Sequence, residues 1–270
     1  MAFLTNAFAV LPATSFLVLL TVFAVGALIE RVAPVRAPQL IADARVNVGY
    51  AFFAEFMQHL LDPMIGAVAL VVVGSFGGGW IALPNDGWAI AVSAAVFFLA
   101  TDFLDYLWHR AQHAVPLLWA MHSLHHSDTA MNVTTSTRHF WIEAPIRMMF
   151  IYPLVGIVFQ VPPVVLIFYG VFKLQDFVQH LNLKLGFGPL WPALSSPQYH
   201  RIHHSTRPEH CNRNFAHFLP LFDILFGTHY RPRPGEYPPT GLGTGEVPNL
   251  LGAILWPLRH VLRFAPETRS

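Results

Sequence analysis

The chain carries fifteen histidines; eight of them fall into spacings that aim imidazoles together, and a ninth stands between those groups. His109 and His113 are four residues apart, and His122, His125 and His126 form an HxxHH block. His200, His203 and His204 repeat that block in PQYHRIHHS, and His180 stands between the two regions. On a helix, positions i, i+3 and i+4 share a face, so each group turns its rings to one side. A neutral imidazole suits iron, zinc or copper. Nine such rings exceed the needs of one ion, so the pattern predicts a two-metal site.

A ligating ring must donate its other N–H to an acceptor, usually a carboxylate or a carbonyl. Asp102, Asp105, Glu143, Asp176 and Asp223 are near the histidines in sequence and are candidate orienting groups. His59, His210, His217, His229 and His260 stand alone and fit ordinary packed or surface histidines. His139, in TRHFWIE, sits close to Glu143 but outside any block and is ambiguous.

Composition says where such a site would be. The apolar fraction of 54% is high and the charged fraction of 11% low for a soluble domain, which points to a membrane protein. A net charge of +1 implies no broad basic surface for nucleic acid. The single cysteine, Cys211, excludes an intramolecular disulfide and a thiolate-based zinc or iron–sulfur site.

The elements that would position the histidines follow from hydropathy. Ala7–Ile29 is uncharged and long enough to span; a cleaved signal peptide would be preceded by a basic residue. Glu30, Arg31, Arg36 and Arg45 follow as a charged loop around Pro34 and Pro38. A second apolar stretch, Val46–Val73, is interrupted by Glu55, His59 and Asp62, which are expected to face protein or an interface rather than lipid. GSFGGGW and PNDG make a loop, with no GK[ST] to suggest a phosphate cradle. A third run, from Trp88, continues past Asp102 and Asp105 into His109 and His113, projecting them just beyond the membrane. Ala144–Phe159 and Val164–Phe177 flank VPP as short apolar runs, expected as a hairpin or re-entrant pair. NLLGAILWPLRHVLRF, with Arg259 and Arg263, is expected to lie in the interface. Asn132 begins a glycosylation sequon, given little weight because this topology puts it in the cytosol.

The expected fold is therefore all-α: an integral membrane bundle of about four or five membrane helices with a cytosolic, histidine-lined di-metal cap. Residues 1–270 form a single membrane domain. Basic residues follow the first span, surround the histidines and end the chain, and they avoid the Gly74–Trp88 and FQVPP turns. The positive-inside rule then places the histidine regions and the C-terminus in the cytoplasm.

Iron with open coordination positions activates O2, and a site at the bilayer edge could receive a lipid chain directly. The rival class is a membrane metal-ion transporter or metal-binding protein using the histidines as an ion path. Transporters place ligands near mid-membrane, whereas these blocks lie beyond the apolar runs. A zinc hydrolase would need only three protein ligands and an open position.

DFLDYLWHRAQHAVPLLWAMHSLHHS, TTSTRHFWIE, HLNLKLGFGPL, SPQYHRIHHS and NRNFAHFLPLFDILFGTHY together resemble the fatty acid hydroxylase / sterol desaturase superfamily. The resemblance covers Asp102–Tyr230, the expected histidine-box catalytic region. It implies an O2-dependent di-iron oxidoreductase that hydroxylates or desaturates a sterol, fatty acyl or related lipid. Zinc is able to replace iron in a purified protein of this kind. The implied metal ligands are His109, His113, His122, His125, His126, His180, His200, His203 and His204. Some members carry a further histidine shortly after the one matching His180; here Leu181, Asn182, Leu183 and Lys184 follow. Asn182, a water or a histidine elsewhere is left to fill a tenth position. No Rossmann glycine fingerprint follows a strand and no haem-binding domain is recognisable, so electrons are expected from an external donor, a ferredoxin or cytochrome. Arg110, Arg201, Arg207 and Arg213 are a candidate docking face, with positive-inside bias as the plainer explanation.

Overall fold

The computed structural model describes residues 12–37, 41–163, 168–244 and 248–261. Its helices are α1 (Pro12–Ile29), α2 (Ile41–Ser75), α3 (Ile90–Ala114), α4 (Pro116–His126) and α5 (Glu143–Val158). They continue as α6 (Phe168–Gln179), α7 (Pro197–His203), α8 (Leu221–Leu225), α9 (Leu250–Ile254) and α10 (Trp256–Val261). The strands among the described residues are two-residue pieces, β1 (Ile81–Ala82) and β2 (Phe159–Gln160), paired in parallel. The fold is all-α in every part that bears on the site.

Among the described residues, two stretches are long and apolar enough to cross a bilayer: Ala44–Ser75, within α2, and Gly87–Ala114, within and just before α3. On α2, Phe56, Leu60, Met64, Val68 and Val71 recur every three or four residues and are all exposed. A bare apolar stripe on a helix of this length belongs in hydrocarbon, and the chain is built as a membrane protein. Its other face packs along α5 and α1, through Ala51, Ile65 and Ala69. Thr14–Ile29 is a shorter apolar helix, and the expected start of that span at Ala7 lies outside the described residues. α5 and α6, at 16 and 12 residues, are shorter than a span, as the two short runs predict; 164–167, where the second begins, is not described.

Glu55, His59 and Asp62 are half-buried rather than set in the lipid face. His59 Nδ1 is 3.0 Å from the Glu55 carbonyl, and its Nε2 is 3.4 Å from Ser15 Oγ on α1. The glycine-rich stretch is a loop, as expected, and closes on the end of α5: Gly79 N–H donates to the Gly156 carbonyl at 2.9 Å.

Among the described residues, three apolar clusters hold these elements together. Leu19 and Phe23 of α1 meet Ala51, Val133 and Leu181. There, Gly26 is needed for close approach, because a Cβ would lie 2.5 Å from a Val133 methyl. Tyr50 and Leu124 meet Ala253 and Trp256; Phe97 meets Ile151 and Val155. The C-terminal segment is thus docked rather than free: buried Trp256 donates its indole N–H to Ser123 Oγ at 2.9 Å. Leu251, Leu255 and Leu258 remain exposed, an apolar edge of the sort an interface would cover. The Arg259 and His260 side chains and all of Arg263 lie outside the described residues.

Candidate metal centre

Each histidine is delivered by an element whose local sequence explains its course. α3 continues unbroken to Ala114, so His109 and His113 project from the end of a long apolar helix. Val115 is extended and Pro116 occupies the first turn of α4, where a missing N–H costs nothing. The chain folds back there, and α4 sets His122 and His126 against His113, with ring centroids 5.3 and 4.8 Å apart. α7 opens with Ser196 capping the Tyr199 N–H and Pro197 in its first turn, and carries His200 and His203 inward. His204 caps its C-terminus, and His180 follows the end of α6.

These segments converge. His109, His113, His122, His126 and His203 place a ring nitrogen each within 4.8 Å of one another, and His125, His180, His200 and His204 do the same. In the second group His180 Nε2 lies 3.1 Å from His125 Nε2 and 3.0 Å from His200 Nε2; His200 Nε2 is 3.2 Å from His204 Nε2. In the first, His203 and His126 Nε2 are 3.1 Å apart. A neutral ring nitrogen offers one proton or one lone pair. His180 and His200 each face two neighbours with one nitrogen, so no placement of single protons satisfies the chain. A shared cation does: two nitrogens each ~2.1 Å from one ion and at right angles are ~3 Å apart. His109 and His122 Nε2 are likewise buried without a hydrogen-bond partner. The donor set fits a metal centre.

Electrostatics agree. Burial pushes His125, His126, His200, His203 and His204 well below the ordinary imidazole value, and neighbouring imidazoles add to the shift. Burial also lowers His180 to about 4, although Asp176 pulls the other way. Rings held neutral keep the lone pair that a metal needs.

The orienting acceptors differ from those nearest in sequence. Glu143 is one: its carboxylate accepts from His122 Nδ1 and His139 Nδ1, both at 2.9 Å, and from Gln112 Nε2. Burial alone would raise its carboxyl, but the two imidazoles overturn that and hold it below the usual range. For His180 the acceptor is the Asp176 backbone carbonyl, at 2.6 Å, with the carboxylate 3.6 Å away. His109 and His203 use the carbonyls of Phe215, at 2.7 Å, and Arg213, at 2.8 Å. Asp102 and Asp223 act one step further out. Asp102 accepts from the Phe218 and Leu219 N–H groups, and Asp223 from those of Phe215 and Ala216, fixing the loop that carries both carbonyls. Asp105 orients no histidine; it accepts from Nε and Nη2 of Arg147, both at 2.7 Å.

Other residues fall differently from their sequence reading. Glu30 is not a solvated loop charge: it is buried and accepts the Val133 and Asn182 N–H groups at 2.7 and 2.9 Å. Asn182 spends its side chain on the Arg36 backbone, so it is not placed to be a tenth ligand. His139, left ambiguous above, stacks on His125 at 4.0 Å and forms a third group with His122 and Glu143. Arg201 is removed from the docking face, since it is buried with Nε on the Pro238 carbonyl at 3.0 Å; Arg110 and Arg207 are exposed. Asn132 is buried and its side chain caps Thr134, which leaves no accessible sequon. Among the solitary histidines, His210 packs on Ser205 and His217 on the Phe172 carbonyl, while His229 is exposed beside Trp191.

A cavity of about 410 Å³ touches both histidine groups, at His109, His122, His125, His180 and His200. Its wall continues along the membrane helices through Val18, Leu19, Ala51, Ala54, Trp108 and Phe177. An apolar route therefore leads from the membrane-facing half to the ring nitrogens.

Comparison with known proteins agrees with this arrangement. Residues 94–228, half of the chain, match the fatty acid hydroxylase family. An alkylglycerol monooxygenase of Xenopus tropicalis is 37% identical over 132 residues, 48% of this chain and 29% of that protein. The ornithine lipid hydroxylase OlsE of Rhizobium tropici is 30% identical over 164 residues, 60% of this chain and 49% of that protein. A very-long-chain aldehyde decarbonylase, GL1-4, of Oryza sativa subsp. indica is 26% identical over 196 residues, 65% of this chain and 31% of that protein. The chain thus spans less than half the length of these relatives. No solved structure matches it. With the histidine groups inside the matched region, the chain belongs to the fatty acid hydroxylase family.

Proposed function

We propose that the chain is an O2-dependent di-iron oxidoreductase that hydroxylates or desaturates a C–H bond of a lipid. The observation that carries this reading is two all-imidazole groups at the end of one cavity lined by membrane helices. Iron bound there would supply O2 activation and hydrogen abstraction. His109, His113, His122, His126 and His203 would hold one ion, and His125, His180, His200 and His204 the other. The relatives' names support a lipid substrate: one acts on alkylglycerols, another on ornithine lipids.

The protein's own residues prepare the site. The Phe215, Arg213 and Asp176 carbonyls and the Glu143 carboxylate hold protons on Nδ1, leaving Nε2 free toward the metal. Trp108, Phe140 and Trp141 in the cavity wall exclude water from the reacting carbon. Residues 1–270 form one membrane domain with 102–230 as its catalytic region, and the histidine regions and C-terminus face the cytoplasm. The basic residues around the histidines support that orientation. A ferredoxin or cytochrome supplies electrons, and exposed Arg110 and Arg207 suit an acidic partner.

The test is a comparison of lipid extracts by mass spectrometry from cells making the wild-type protein or His125→Ala, under O2. Hydroxylation predicts a lipid heavier by one oxygen in the wild type alone, and desaturation one lighter by two hydrogens. Identical lipid profiles with a competent electron donor present would refute the reading.

A further inference from the structure

The rings of the second histidine group have few hydrogen bonds to hold them, and another contact must fix their planes. His180 Nδ1 lies 2.6 Å from the Asp176 carbonyl, but Nδ1 of His125, His200 and His204 is buried without a partner. Each of these three rings instead lies against one that is nearly parallel to it. His200 faces His203, with centroids 5.4 Å apart and planes 22° from parallel, and His204 faces His126 at 4.4 Å and 17°. His125 faces His139, at 4.0 Å and 16°. Of the three covering rings, only His139 belongs to neither metal-binding group.

His139 is itself fixed from behind. Its Nδ1 is 2.9 Å from Glu143 Oε1, the buried oxygen that also accepts from His122 Nδ1. The ring is half-buried and lines the cavity beside His125. Stacking decides whether it can be a ligand. An imidazole nitrogen holds its lone pair in the ring plane, so a bound ion lies in that plane, ~2.1 Å away. Two rings stacked face to face share no such point. The pairs His126–His204 and His200–His203 obey this rule, since each is divided between the two groups. His139 therefore cannot fill a further position on the ion that His125 holds.

We propose that His139 is a positioning residue: stacking fixes the plane of the His125 ring and so aims His125 Nε2 at the second ion. Glu143 then serves both ions by different means. At the first it accepts from the ligand His122, and at the second it holds His139 over His125. The stack needs the flat ring and not the charge behind it, because an amide oxygen at position 143 would accept the same bond. The role of His139 rests on the two-metal reading, and binding rather than turnover tests it, so the two fail separately.

The full chain in dodecyl maltoside micelles is stripped of metal and titrated with cobalt(II), whose visible absorption reports imidazole ligation. Two backgrounds isolate the ions: His113→Ala leaves the second group intact, and His200→Ala leaves the first. In the His113→Ala background, adding His139→Ala should weaken cobalt binding roughly two- to tenfold, the range of an aromatic pair, and shift the absorption band. His139→Phe keeps a flat ring without nitrogens and should restore both affinity and band. In the His200→Ala background neither substitution should change the affinity by more than about twofold. His139→Phe binding as weakly as His139→Ala would overturn the proposal, because a nitrogen and not the stack would then matter. So would an unchanged affinity in His139→Ala, or an equal loss in both backgrounds. If neither background binds cobalt, the metal centre itself fails and the proposal falls with it.

Discussion

The two histidine groups are built from the same residue type but differ in how they are assembled and held. Four members of the first, His109, His113, His122 and His126, come from one helical hairpin, α3–α4, and only His203 is distant. The second draws His125 from α4, His180 from the end of α6, and His200 and His204 from α7. Their outer hydrogen bonds differ as well. In the first group, His109, His122 and His203 donate Nδ1–H to a carbonyl or carboxylate. In the second, His180 does so, while the Nδ1 atoms of His125, His200 and His204 are buried without a protein partner. A ligand whose second nitrogen is anchored is oriented before the metal arrives, and losing such an anchor typically costs 10–100-fold in affinity. The first group is local and braced; the second is long-range and looser.

The sharpest way to break this comparison is to remove one ligand from each side. His122→Ala should leave the second group able to bind one ion, and His200→Ala should leave the first able to do so. Each variant should lose more than about 100-fold in product formation, beyond the range for outer partners. Elemental analysis of the purified variants checks the metal count, and two ions in either variant would contradict the assignment.

The next effect is that of a bracing group. Glu143→Gln keeps the size of the side chain but removes the charge that His122 and His139 face. It should weaken the first ion by about 10–100-fold and leave the second nearly unchanged. Metal titration of the apoprotein would show whether the loss is confined to one site.

A smaller difference should appear in the wild type itself. Under a chelator, metal should leave in two phases, the second group emptying first, about tenfold faster. Loss in a single phase would mean that the outer hydrogen bonds do not govern retention.

The smallest effect concerns acid. His180 has a folded value of about 4, against about 6.5 when unfolded, and burial depresses its neighbours too. Between those values the unfolded chain binds more protons, so stability falls as pH drops below about 6.5. Each such histidine contributes up to about 1.4 kcal/mol per pH unit. The apoprotein should therefore melt several degrees lower at pH 5 than at pH 7.5. An unchanged melting temperature would show that these rings are not buried as neutral groups.

Much of the centre is legible in the sequence, because side-chain identity and helical spacing carry it. His109 and His113 are four apart at the end of an apolar run, and the structure continues that run as one helix. The block spacings give His125, His126, His200, His203 and His204 a common direction, and His180 joins them. What holds the rings is less legible. The Phe215 and Arg213 carbonyls have no residue signature, since any backbone could supply them. Asp105 illustrates the limit: four residues before His109 it looks like a partner on its own helix, yet Arg147 from α5 claims it. Glu30 reads as a loop charge because its partners, Val133 and Asn182, are more than a hundred residues away. Arg201 lies between His200 and His203 in the sequence, and only the path of Pro238–Thr240 over it explains its burial. His139 carries a weak signal, the four-residue step to Glu143, which takes on meaning once His125 is seen beneath it.

The measurement that bears most directly on the centre is metal analysis of the full-length protein from iron-supplemented cells, combined with X-ray absorption. Two metal ions per chain are expected, with nitrogen neighbours near ~2.1 Å and little or no sulfur. One ion or none per chain, or a sulfur-rich shell, would contradict the account.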